Sequence, residues 1–202
     1  DSKNYIVEKN ENTKADGKVF TRKTLWFEAN SGFPKWYEEE DLRKDYRIKN
    51  TYSGQIMSTR LEKAEKVLQF ETNLTQENVV PFEVLIFFLR KNLRHILQTK
   101  DYSFTLFLPL LAIELEEKGF PRSMSMIRMM VELREELSLE TPLGIIKGRK
   151  ILLLPKSGFL RALLPRDKTH FEFTIAEDAP HYLLQFIAGK TKHILTELSL
   201  AQ

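Results

Sequence analysis

Short runs of alternating apolar and polar residues, broken by a turn signal roughly every 8–15 residues, do most to limit the folds open to this chain. Tyr5, Ile6 and Val7 can start an edge strand, and Asp16-Gly17 is a hairpin signal. Val19 to Ala29 has the aromatic and β-branched character of a strand, and Ser31-Gly32 marks the next turn. Lys35 to Glu40 pairs back with Trp36 on one face. Tyr46, Ile48 and Thr51 or Tyr52 continue, and Ser53-Gly54 turns the chain into Ile56 to Arg60 and Lys66 to Glu71. Such a series predicts an antiparallel meander.

One segment breaks the pattern. From Phe82 to Thr99 the residues Phe82, Leu85, Ile86, Leu89, Leu93, Ile96 and Leu97 fall on one helical stripe. Pro81 suits a helix start, where its missing N–H costs nothing. Glu83 stands in the first turn and Arg90, Lys91, Arg94 and His95 later, as the helix dipole favours. Phe87, Phe88 and Val84 widen the apolar surface, so the helix is expected to pack deeply on a sheet.

After Lys100-Asp101 the period returns to two. Tyr102, Phe104, Leu106 and Leu108 alternate with Ser103 and Thr105, Pro109 interrupts, and Leu110 to Leu115 resumes as a strand. Gly119-Phe120-Pro121 is a turn. Across 124–140, Ile127, Met129, Val131, Leu133, Leu137 and Leu139 alternate with charged residues, while Met126, Met130, Leu133 and Leu137 also fit a helical stripe. Alternation explains more positions, so a strand is expected. Thr141-Pro142-Leu143-Gly144 turns into Ile145 to Leu154, and Pro155-Lys156-Ser157-Gly158 closes a hairpin. Phe159 to Leu164, Thr169 to Ile175, Tyr182 to Ala188 and Thr191 to Leu198 follow as strands, with Gly189-Lys190 as the last tight turn. The fold expected is mainly β: a curved antiparallel sheet or open barrel-like meander packed on one long helix near 82–99, in a single domain over 1–202.

Composition removes several classes of function. With no cysteine the chain has no disulfide, no thiolate catalyst and no iron–sulfur or cysteine–zinc site. No run of apolar residues is long enough to span a bilayer as a helix. The formal charge of +3 is too near neutral to suggest a nucleic-acid partner. Charge is uneven, however: nine Lys and Arg residues between Pro142 and His193 outnumber the acids there. A basic stretch of this kind suits anionic lipid or phosphate, or simply a solvated face. The chain begins at Asp1 with a polar stretch and no signal peptide, as a mature exported form and a trimmed chain both would.

No motif points to catalysis or a cofactor. The sequence holds no Gly-x-Ser-x-Gly elbow, no Gly-x-Gly-x-x-Gly and no phosphate-binding loop. Glu38-Glu39-Glu40-Asp41 lacks the alternating oxygen ligands of a calcium loop and is expected to be a solvated acidic turn. His170, Asp178 and His181 cluster in sequence, so a hydrolase built on them requires that their side chains converge. The methionines at 124, 126, 129 and 130 are the most unusual local feature, because flexible thioethers adapt to irregular apolar surfaces. Either they fill an awkward core or they line a pocket.

Several landmarks resemble one bacterial group. They are Phe88-Leu89-Arg90 in the apolar helix, a long strand into Thr141-Pro142-Leu143-Gly144, the Lys-containing strand after it, and Ala179-Pro180-His181 before the final hairpin. Over about residues 46–198 this order is similar to that of the domain-of-unknown-function family 3108, exported proteins of the cell envelope. His170 to Glu177 lacks the tryptophan expected there. The resemblance implies a strongly curved antiparallel sheet with a packed helix, and export to the periplasm or outer envelope. It implies no catalytic residue.

Three functions compete on these grounds. The first is a non-enzymatic envelope protein whose groove between sheet and helix holds a lipid, lined by Phe87, Phe88, Phe104, Phe107, Met124, Met126 and Met130. The second is an interaction module or scaffold for an envelope protein, anchored by Trp36 and Tyr37 beside the acidic run. The third is the hydrolase of His170, Asp178 and His181. None of them calls for a metal or cofactor.

Overall fold

A computed structural model of the chain describes residues 4–13, 16–74, 79–141, 144–164, 166–178, 180–189 and 191–194. The chain forms two compact units, Asp1–Val79 and Val80–Gln202. It is mostly β, with a six-stranded sheet in the first unit and a seven-stranded, half-barrel sheet in the second.

The first unit is a six-stranded meander in chain order: β1 (Tyr5–Thr13), β2 (Val19–Glu28), β3 (Pro34–Asp41), β4 (Tyr46–Ser53), β5 (Ile56–Lys63) and β6 (Lys66–Asn73). Each strand pairs antiparallel with the next. The alternation predicted from sequence is cleanest in β4, where Tyr46, Ile48, Asn50 and Tyr52 are buried and Arg47, Lys49, Thr51 and Ser53 exposed. Ser53 faces Ile56 across the Gly54-Gln55 turn, and Gly54 has φ +57°. Only glycine adopts that region without steric cost.

Strand pairing corrects the expectation of a solvated acidic turn at Glu38–Asp41. These residues lie in β3, and the pleat sends successive side chains to opposite faces. Glu39 therefore points to the same side as buried Tyr37 and Tyr46. It accepts hydrogen bonds from the hydroxyls of both, the Tyr46 one at 2.6 Å, and pairs with the Lys23 ammonium at 3.1 Å. Asp41 is 4% exposed. Burial alone raises its carboxyl, but amide bonds from Arg43 and Lys44 at 2.9 and 3.1 Å and the Arg43 guanidinium leave it below the usual carboxylate range.

The second unit holds the seven-stranded sheet, whose first strand β7 (Val79–Pro81) begins at the boundary. A 3₁₀ turn, Phe82–Val84, leads into α1 (Leu85–Gln98), which is followed by β8 (Ser103–Phe107), α2 (Pro109–Glu117), a second 3₁₀ turn at Arg122–Ser125, and β9 (Met126–Thr141). Then come β10 (Gly144–Pro155), α3 (Gly158–Leu163), α4 (Arg166–Thr169), β11 (Phe171–Ala176), β12 (Leu183–Ala188) and β13 (Thr191–Ile194). The sheet runs in chain order from β7 to β13. From Met126 onward the ambiguous methionine stretch is strand β9, as alternation predicted, while Met124 lies in the second 3₁₀ turn.

The expected long helix packs on this sheet. Leu85, Leu89, Leu93 and Ile96 are each at most 1% exposed. The Phe82 ring lies 5.2 Å from Phe171 in β11, and the Phe88 ring 4.8 Å from Phe104 in β8. Burying one such leucine contributes about 1.5–3 kcal/mol, so this stripe is a principal anchor of the unit.

Two segments expected as strands are helices. Leu110 to Leu115 lies in α2, and Phe159 to Leu164 forms α3 and its C-cap. In both cases a short apolar run without alternation conceals a helix start: Pro109 in the first turn of α2, and Ser157 at the N-cap of α3, its hydroxyl facing the Leu160 amide at 3.4 Å. The expected last strand is described over Thr191–Ile194; its residues 195–198, and the turn residues Pro142, Leu143 and Lys190, lie outside the described residues.

Candidate functional site

A half-open apolar pocket of about 180 Å³ lies within the second unit. Leu111, Glu114 and Leu115 of α2 line it, with Lys118, Phe120, Met124, Leu163 and Leu164. Its construction follows from how α2 ends. Gly119 has φ +78°, its amide bonds Glu116 O at 2.9 Å, and the Phe120 amide bonds Leu115 O at 2.8 Å. This is the Schellman pattern, which folds the residue after the glycine back over the last helical turn. Phe120 and Leu115 thereby share one wall.

Pro121 then starts the 3₁₀ turn that carries Met124. Arg122 ties the turn to α2 by two bonds to Glu116, Nε to Oε2 at 2.8 Å and Nη2 to Oε1 at 2.6 Å. Those bonds hold the Glu116 carboxyl below its ordinary range. The opposite wall comes from α3. Arg161 of that helix donates from Nε to Pro155 O at 2.6 Å, and the Leu164 amide bonds Leu160 O at 2.9 Å.

The walls are hydrocarbon and thioether, with two charged side chains, Glu114 and Lys118, in the lining. Lys118 is exposed. Such a cavity excludes water from an apolar guest and offers an ammonium to an anionic end of it.

Of the seven residues named from sequence as a groove lining, Met124 lines this pocket. The others are distributed over the sheet and helix. Phe104 and Phe107 are each 2% exposed, and three positions apart on β8 they point to opposite faces. Phe104 lies on the α1 side with Phe88. Phe107 pairs with Met126, and Ser103 with Met130, on the other face. Met126, Met130, Phe87 and Phe88 are half-buried. Leu111, Leu115, Phe120, Leu163 and Leu164 were not legible as a lining while α2 and α3 were expected to be strands. The signal that could have found them was Gly119 as a helix C-cap.

His170, Asp178 and His181 do not come together. His170 precedes β11 and the other two follow it, which separates them by about 20 Å of strand. The His170 ring sits 3.1 Å from Thr169 Oγ1, and burial, then Arg166 and Arg161, holds its pKa below the ordinary histidine value. His181 Nδ1 lies 3.1 Å from Ala176 O, a contact that needs the proton on that nitrogen. Among the described residues no group of three His, Asp or Glu side chains is placed to hold a metal ion.

Trp36 and Tyr37 separate as well. Tyr37 is 8% exposed and bonded to Glu39, so it offers nothing to a partner, because the pleat turns it away from Trp36. The Trp36 ring instead meets Trp26 edge-on at 5.9 Å, and Trp26 is 46% exposed. No helix among the described residues is long and apolar enough to cross a membrane. Comparison with family models, with curated proteins and with solved structures gives no match to this chain.

Proposed function

We propose that this chain is a non-enzymatic cell-envelope protein that binds an acyl chain or a similar apolar ligand in the pocket between α2 and α3. The observation that carries this reading is the pocket itself: a half-open cavity of about 180 Å³ walled by Leu111, Leu115, Phe120, Met124, Leu163 and Leu164. A cavity of about 150 Å³ lined by such residues stays dry and accepts a benzene-sized guest. The volume therefore suits the end of an acyl chain rather than a whole lipid. Exposed Phe120 and Leu163, at 47% and 52%, extend the apolar path outward from the cavity. Lys118 supplies a cation for a carboxylate or phosphate at the other end of the ligand.

The envelope location rests on the resemblance to family 3108 over residues 46–198. The test of binding is a titration with a polyene fatty acid that fluoresces when it leaves water. The reading expects one saturable site, competed by palmitate. No fluorescence gain at any protein concentration overturns it.

A second reading, attachment to an envelope protein, draws on the outer face of the six-stranded sheet. Val7, Trp26 and Trp36 form one cross-strand row there, with Val7 44% and Trp26 46% exposed. Aromatic anchors of this kind dominate protein interfaces. Loss of an envelope partner from a Trp26→Ala pull-down, with fatty-acid binding absent, favours this reading over the first.

A further inference from the structure

We infer that α3, with its basic flanks, is a docking surface for a bilayer rich in anionic phospholipid. The helix has no buried residue. Phe159 and Leu163 stand one turn apart on the same side, 72% and 52% exposed, and Leu163 continues into the pocket wall beside Phe120. Surface chains of monomeric proteins seldom leave aromatic and aliphatic groups contiguous in water without a use for them.

Charge decides which occupant fits. From Lys156 to His170 the sequence has four cationic residues, Lys156, Arg161, Arg166 and Lys168, against the single acid Asp167. Lys156 and Arg166 are exposed. The Arg161 and Arg166 charges both act on the His170 ring, so these two cations lie near it. Exposed apolar side chains on a short helix whose flanking sequence is cationic match a bilayer interface: the side chains enter the acyl boundary and the cations meet phosphates. An acidic groove of a partner protein would need a cleft to receive Phe159. A single short helix gives weak, reversible and salt-sensitive attachment.

The inference deepens the acyl-binding reading, and rests on it for what the docked protein would take up. The two are separable because Phe159 does not line the pocket.

The test is sedimentation of the full chain with sucrose-loaded vesicles, either pure phosphatidylcholine or phosphatidylcholine with phosphatidylglycerol. The chain is expected to sediment with the anionic vesicles at low salt and to stay in solution with the neutral ones. Phe159→Glu is expected to weaken vesicle binding about tenfold or more, since a phenylalanine that docking would bury in the bilayer is replaced by a charge that anionic headgroups repel. Lys156→Glu with Arg166→Glu should abolish the preference for anionic lipid. Phe159→Glu should still bind the polyene fatty acid as the unchanged chain does, which also shows that it folds. Equal sedimentation of Phe159→Glu and the unchanged chain overturns the inference. So does a dimer in analytical ultracentrifugation that Phe159→Glu dissolves, because the patch is then a contact between copies. Vesicle binding without fatty-acid uptake overturns the acyl-binding reading and leaves the docking surface standing.

Discussion

The Phe88 ring lies tilted against the Phe104 ring, their centroids 4.8 Å apart, so α1 packs directly on β8. The apolar stripe of α1 is a structural element. Leu89, fully buried in that stripe, is therefore a stability residue. Leu89→Ala is predicted to lower the unfolding free energy by about 3 kcal/mol in urea titration, the usual cost of a leucine-sized cavity. A loss under about 1 kcal/mol would mean that the helix does not anchor the sheet.

Burial and the Glu39 carboxylate together make Tyr46 sensitive to alkaline pH. Burial first, then the Glu39 carboxylate, raises the Tyr46 phenol well above its ordinary value. An unfolded tyrosine ionises near about pH 10. Above that pH the unfolded chain sheds a proton that the folded chain retains, so this contribution to stability is complete below pH 10 and declines as pH rises further. Tyr46→Phe is predicted to cost about 1 kcal/mol at neutral pH, from the lost hydrogen bond to Glu39. It should also flatten the decline in urea midpoints between pH 9 and 11. An unchanged alkaline slope in the variant would contradict the account.

Two tight turns of the six-stranded sheet make the same demand on different residues. Ala64 holds φ +52° between β5 and β6, and Gly54 holds φ +57° between β4 and β5. An L-residue in this region carries a steric cost that glycine avoids, partly offset by glycine's freer unfolded chain. Ala64→Gly is predicted to raise stability by about 0.5 kcal/mol, and Gly54→Ala to lower it by about 1 kcal/mol. Thermal melting of the pair measures both, and shifts of the same sign would refute the turn geometry.

The sequence carried most of the β architecture because period-two alternation survives wherever one face is buried, as in β4 and the first half of β9. It carried α1 because seven apolar residues hold one stripe over four turns. It failed at α2 and α3 because a six-to-nine-residue apolar run has the same composition in a strand and in a short helix, and only Pro109, Gly119 and Ser157 at the ends distinguish them. The candidate site fell into that gap. Met124 was visible as an unusual methionine, whereas Leu111, Leu115, Phe120 and Leu163 acquire their common pocket only when both helices form. Tyr37 shows a one-position limit of the same kind: its neighbour Trp36 has an outward face, and the pleat decides which of the two a partner can reach.

Met124 is half-buried and lines the pocket, so a larger side chain there occupies the cavity while leaving the fully buried core untouched. Native mass spectrometry of the delipidated protein, reloaded with palmitate and compared with Met124→Trp, tests the acyl-binding reading most directly. The account predicts one bound palmitate on the unchanged chain and none on Met124→Trp, with equal melting temperatures. A chain that refuses palmitate, or a Met124→Trp variant that binds it equally well, would contradict it.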